Sequence, residues 1–152
     1  MNIHPRVLTV LTLVAASMLS ACMPFSKIED SSGMTELKGT WTVAYIAGEE
    51  ITDDSVVPTI SFNPSKSTVS GFNGCNRFQG AYRFEGGMLK ADVSETRQAC
   101  PNAVATAASK EIRTVLEEGA EVVKVEIGAG RVLMLKSDSA EIRMRPPEAP
   151  GK

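Results

Sequence analysis

Residues Ser70–Tyr82 read SGFNGCNRFQGAY, a crowded bend set between two strand-like runs. Ser67 to Phe72 leads in. Arg77 to Glu85 leads out, with Phe78, Gly80, Tyr82 and Phe84 on one face of an alternating pattern. Between them, Gly71, Asn73, Gly74 and Asn76 are the residue types that best tolerate positive φ and close backbone approach. The chemistry predicts a sharply turned, tightly packed corner with Cys75 inside it. A second cysteine, Cys100, follows within ETRQACP.

Working outward, further short strands come into view. Thr40 to Ala47 alternates, and the pattern puts Trp41, Val43 and Tyr45 on one face. Gly48 to Asp54 reads as an acidic turn region. Pro58 to Asn63 is a strand with Ile60 and Phe62 together, and Pro64-Ser65-Lys66-Ser67 turns it. Gly86-Gly87 is a two-residue hairpin signal, and Met88 to Val93 returns from it. One helix then interrupts the sheet. Pro101 or Asn102 starts it, Val104, Ala108, Ile112, Val115 and Leu116 recur at helical spacing, and Gly119 closes it. Val123, Val125 and Ile127 alternate, Gly128-Ala129-Gly130 turns, and Arg131 to Lys136 and Ala140 to Arg145 complete the set. Seven or eight short strands with a late helix predict a mainly β fold, an antiparallel barrel whose closure hides the sheet edges. The spacing alone fits a sandwich as well.

The pattern SGxxGCNRFxGxY, followed by TxxxC at Thr96–Cys100, resembles the META/HslJ family of small bacterial envelope lipoproteins. The likeness runs from Leu37 to Arg145. It implies a small barrel, lipocalin-like in general form, with the helix inserted late. It also implies a link to envelope stress or antibiotic tolerance, and it marks Ser70, Gly71, Asn73, Gly74, Asn76, Arg77, Phe78, Gly80, Tyr82 and Thr96 as motif positions.

The N-terminus is a targeting segment rather than part of the fold. Arg6 precedes an apolar run, VLTVLTLVAASM (Val7–Met18), and then comes Leu19-Ser20-Ala21-Cys22. An apolar residue, two small residues and a cysteine form a lipobox, so residues 1–21 read as a lipoprotein signal peptide and Cys22 as the lipidated residue. The apolar run is shorter than the ~20 residues a spanning helix needs. No Asp follows Cys22, which favours the outer membrane, inner leaflet, facing the periplasm. Residues 22–36 read as a flexible tether; about 14 such residues give a root-mean-square reach of about 20 Å. Residues 37–145 form the domain, and Pro146 to Lys152 (PPEAPGK) reads as a disordered tail.

Composition narrows the chemistry. The chain carries a formal charge of −2. The segment before Cys22 holds one basic residue, Arg6, and no acidic one, so the mature charge becomes −3. There is no basic stripe and no cluster of exposed aromatics, which argues against nucleic acid. The single histidine, His4, leaves with the signal peptide. Without histidine, Ser-His-Asp and Cys-His catalysis are excluded and a catalytic zinc site loses its usual ligands. The expectation is therefore a protein with no enzymatic activity, no cofactor and no metal. With Cys22 carrying lipid, Cys75 and Cys100 remain as an even pair in an oxidising compartment and are expected to form a disulfide. Two separate buried thiols are the competing reading.

The carboxylate pairs Glu49-Glu50, Asp53-Asp54 and Glu117-Glu118 read as solvated faces, because sequence neighbours point apart. Arg77, beside the corner, reads as binding an anion or, more simply, as satisfying polar groups of the turn together with Asn76. Trp41, Phe62, Phe72, Phe78, Tyr82 and Phe84 read as core, with Met88, Met134 and Met144 as soft filler. The functional expectation is an outer-membrane-anchored, non-enzymatic binding or interaction module with an unidentified envelope protein partner. The alternative is a pilot or inhibitor lipoprotein acting on a secretin, protease or lysozyme, with Glu49–Val57 or the corner as its contact loop.

Overall fold

The computed structural model describes residues 37–127 and 130–146, without the side chains of Glu126 and Ile127. The signal peptide, Cys22, the tether, the 128–129 turn and the tail beyond Pro146 lie outside the described residues. Strands β1 (Gly39–Ile46), β2 (Glu49–Glu50), β3 (Thr59–Asn63), β4 (Thr68–Phe72), β5 (Arg77–Glu85) and β6 (Met88–Glu95) come first. Helix α1 (Ala103–Glu118) follows, and then β7 (Ala120–Ile127), β8 (Gly130–Lys136) and β9 (Glu141–Arg145). All neighbours pair antiparallel in one nine-stranded sheet, and β1 also pairs with β9. Because β2 is a two-residue spur on β1, the other eight strands form a closed barrel wall.

The glycine-rich run closes this wall at two points. Gly71 and Gly80 lie on the inward face, opposite Phe78 and Val93. A Cβ on Gly71 would stand 2.0 Å from the carbonyl oxygen of Thr59, and one on Gly80 would stand 1.9 Å from that of Asp92. Only a residue without a side chain lets neighbouring backbones coil this tightly. The inward residues Val43, Ile60, Phe62, Val69, Phe78, Tyr82, Leu89, Leu133, Leu135, Ile142 and Met144 form one cluster, each 5% exposed or less. Phe62 and Tyr82 meet edge to face at 5.8 Å between ring centroids. Burial raises the Tyr82 phenol pKa.

Strand β7 meets β6 only at Met88–Glu121 and Leu89–Ala120. Helix α1 fills the seam this leaves. Asn102 caps it, its Oδ1 accepting from the Ala105 amide at 2.8 Å, and Gly119 ends it at φ 98°. Ala105, Ala108, Ile112, Val115 and Leu116 are its buried stripe, and the last three join the barrel core. Arg113 bridges to Glu95 of β6 at 2.9 Å, while Glu111 accepts from the Glu141 amide at the start of β9.

Three expectations need correction. The pairing of β1 with β9 shifts by one residue between Val43 and Tyr45. This bulge at Ala44 turns Tyr45 to the outer face, opposite Arg143, and brings Ile46 inward in its place. Phe72 also faces outward, since its neighbour Gly71 holds the inward position. On β7, Ala120 is buried opposite Leu89 and Val122 packs against the core opposite Leu135, while Lys124 is exposed. Of the three methionines read as core filler, only Met144 is core: Met134 faces outward and Met88 is 45% exposed at the hairpin.

Candidate functional site

The corner between β4 and β5 gathers most of the motif. Gly74 adopts φ +94°, and a Cβ there would meet Val56 at 3.1 Å and Ala108 of α1 at 3.4 Å. A side chain is thus opposed by both the backbone and the helix. Asn73 is 1% exposed and acts as the hub of the turn. Its Oδ1 accepts the amides of Cys75 at 3.1 Å and Asn76 at 2.7 Å, and its Nδ2 donates to Glu95 Oε2 at 2.7 Å. Asn76, 8% exposed, binds the segment that runs towards the helix. Its Oδ1 accepts from Thr96 Oγ1 at 2.9 Å and from the Gln98 amide at 2.7 Å, while its Nδ2 donates to the Gln98 carbonyl at 3.3 Å. Cys75 and Cys100 form a disulfide with Cα atoms 4.8 Å apart. The bridge and the Asn76 bonds therefore pin the same stretch to the corner.

Every buried polar side-chain atom among the described residues has a partner. The corner's buried polar side chains are thus engaged in holding its own shape. Arg77 contacts the turn through its main chain. Its side chain is exposed, and its main chain makes the contacts, the amide to Thr96 Oγ1 at 3.2 Å and the carbonyl to the Thr96 amide at 3.0 Å. Ser70 is exposed on the outer face of β4, away from the corner. Phe78 and Tyr82 belong to the core. Sequence reasoning missed Glu95, which joins the Asn73 hub to Arg113 of the helix. Its signal is an acidic residue at an inward strand position, opposite Phe78.

A second feature lies on the outer surface, where the bulge parts β1 from the loop after β2. A cleft of about 400 Å³ opens there, with Ala44 and Val56 beneath it and Glu50, Asp53, Asp54 and Arg145 around it. Asp53 organises the loop: its Oδ1 accepts from the Ser55 amide at 2.9 Å and from the Ser55 hydroxyl, and its Oδ2 accepts from Asn102 Nδ2 at 2.9 Å. The Ser55 hydrogen bonds hold the Asp53 carboxyl below its usual value of 3.8. Arg145 bonds Glu50 Oε1 and the Tyr45 hydroxyl, each at 2.9 Å, and its guanidinium lies 5.2 Å from the Tyr45 ring centroid. The Glu50 hydrogen bond raises the Arg145 pKa. The adjacent carboxylates take separate partners, Glu117 pairing with Arg113 and Glu118 with Ser139. Among the described residues, no group of three or more His, Cys, Asp or Glu side chains is placed to hold a metal ion. No helix among them is long and apolar enough to cross a membrane.

An eight-stranded barrel with a filled interior, a helix in its seam and an asparagine-braced, disulfide-closed corner defines a small single-domain class. Within that class, the META domain pattern matches residues 35–148, and the chain belongs to the META family. One NMR structure of a protein shares 27% identity at a TM-score of 0.59, covering 74% of this chain and 92% of the other. An NMR structure of a protein from Burkholderia xenovorans shares 17% identity at a TM-score of 0.59, covering 98% and 100%; that likeness concerns the fold alone. No curated protein matches the chain.

Proposed function

We propose that this META-family chain is a lipid-anchored, non-enzymatic envelope protein whose barrel serves as an interaction module. It would be held at the outer membrane, facing the periplasm. The observation that carries the reading is the division of labour in the fold. Side chains fill the interior and the motif braces itself, so recognition is left to the outer surface. The lipobox ending at Cys22 and the polar segment after it support anchoring. The outer cleft beside the 49–57 loop is a place where such a module would meet its partner. A stress or antibiotic-tolerance association is what the resemblance implies for such a module.

Fractionation of envelopes with intact-mass analysis tests the anchoring. The expected result is a mature chain beginning at Cys22, carrying lipid and found with membranes, and a soluble Cys22→Ser variant. A Cys22→Ser variant that matures normally and stays with membranes overturns it.

A further inference from the structure

Strand β7 outruns its neighbour. Its ladder with β6 holds only Met88–Glu121 and Leu89–Ala120, while its ladder with β8 runs unbroken from Glu121–Lys136 to Ile127–Gly130. The Val122 amide still donates to the Gly87 carbonyl at 3.3 Å, at the turn of the β5–β6 hairpin. Beyond that bond, residues 123–127 of β7 have a strand on one side only among the described residues. The Val122 bond also fixes which groups line the open edge. Main-chain groups of alternate residues point to the same side of a strand, so the N–H and C=O of Lys124 and Glu126 point there with those of Val122. Neither a proline nor a bulge interrupts this stretch to blunt the edge. Its guard is Lys124, whose side chain is exposed. A strand laid along the edge must answer that charge.

The strand carries its own match. Around Val125 the sequence reads Val-Lys-Val-Glu-Ile over residues 123–127. We infer that the open edge of β7 pairs antiparallel with the same edge of a second copy of this chain, about a two-fold axis through Val125. In that register Lys124 of each copy stands opposite Glu126 of the other, Val123 stands opposite Ile127, and Val125 meets its own equivalent. The Lys124–Glu126 positions form hydrogen-bonded pairs, about four bonds in all, and the central Val125 pair is non-hydrogen-bonded, with Cα atoms about 4.5 Å apart. Opposite charges meet twice on one face of the joined sheet, and apolar residues meet on the other. Centring the axis on Lys124 or on Glu126 sets like charges directly opposite, so the charges select one register. They also select the occupant. A strand with no acidic residue at the matching position leaves Lys124 unanswered, whereas a second copy supplies one to each partner. The contact is isologous and uses up the edge on both copies, so it closes as a dimer with strand order β8–β7–β7–β8 across the axis. The pairing stands apart from the anchoring and the cleft considered above.

The test uses the full chain. Val125→Cys should crosslink to its equivalent on mild oxidation of the envelope fraction with copper phenanthroline, because a non-hydrogen-bonded pair falls within the Cα range of about 4.4–6.8 Å that a disulfide spans. Val123→Cys, which faces position 127 instead, should not crosslink to itself. Sedimentation equilibrium of the purified full chain in detergent then reads the association constant. Lys124→Glu should weaken association roughly 30-fold, taking about 1 kcal/mol for each of the two pairs turned from opposite to like charge. Lys124→Glu combined with Glu126→Lys should restore it, with thermal melts of the variants matching the parent. If the single exchange melts early, the crosslinking comparison decides alone. A Val125→Cys chain that crosslinks no better than Val123→Cys overturns the inference, and a foreign strand seated on the edge would give that result. A double exchange that folds and stays as weak as Lys124→Glu overturns it as well.

Discussion

Replacing Asn76 with alanine tests whether the motif is a brace or a binding site. Asn76 makes three side-chain hydrogen bonds, two to Gln98 and one to Thr96. At about 1 kcal/mol net per bond, their loss sums to about 3 kcal/mol. Thr96 and Gln98 are exposed and recover part of this from water, which leaves a loss of about 2 kcal/mol. For a domain of this size that lowers Tm by about 8 °C. The disulfide holds the same segment across a separation of 25 residues, and its own loss costs about 3 kcal/mol in the chain-entropy model. While either anchor remains, the segment stays placed; without both it detaches. Asn76→Ala combined with Cys100→Ala should therefore cost more than the sum of the two, by about 0.5–1 kcal/mol. Urea denaturation of the four proteins measures the cycle. A loss below about 0.5 kcal/mol for Asn76→Ala, within the range of an ordinary surface substitution, refutes the bracing role.

Two further outcomes follow from local geometry. Gly80→Ala drives a Cβ against the Asp92 carbonyl of the paired strand and should cost about 3 kcal/mol, whereas Gly86→Ala, with nothing within 4 Å, should cost only the strain of its positive φ, about 1 kcal/mol; thermal melts compare them. The Asp53 carboxyl is held below 3.8 when folded, so its contribution is fully present above that pH and is lost as pH falls through the lower folded value; Asp53→Asn should flatten this acid limb when denaturation midpoints are followed downward from pH 5.

The corner was legible because its residues are chemically distinctive. Asparagines, glycines and a cysteine in that order fit few backbones other than a tight turn, and the helix limits at Asn102 and Gly119 followed from capping chemistry. Facing was less legible. An alternating pattern states that two faces exist and leaves partner contacts to decide which one is inside. One additional residue at Ala44 exchanged Tyr45 for Ile46, and no composition signal marks that insertion. On β7, Val123, Val125 and Ile127 form the more apolar alternating set, yet it is Val122, opposite Leu135, that packs against the core. The two-residue β2 was hidden for a different reason: glutamates have poor strand propensity, and Glu49–Glu50 is extended only because β1 offers a ladder to join. In the site, the Asn76 side chain satisfies the turn while that of Arg77 is exposed, since a strand alternates its neighbours and only one could face the 96–98 segment.

The pairing of β1 with β9 joins the two ends of the domain in sequence, with the Tyr45 hydroxyl and Arg145 meeting across 100 residues. The wall therefore cannot close until the final strand is delivered. During synthesis, β1 and β8 both wait with open edges while everything between them is already available to fold. A chain stopped before Glu141 keeps its corner, its disulfide partners and its helix, yet presents two unpaired ladders to its neighbours. The short stretch Glu141–Arg145 thus acts as a latch for the entire domain, and loss of its five residues converts a self-contained barrel into a template for intermolecular strand pairing.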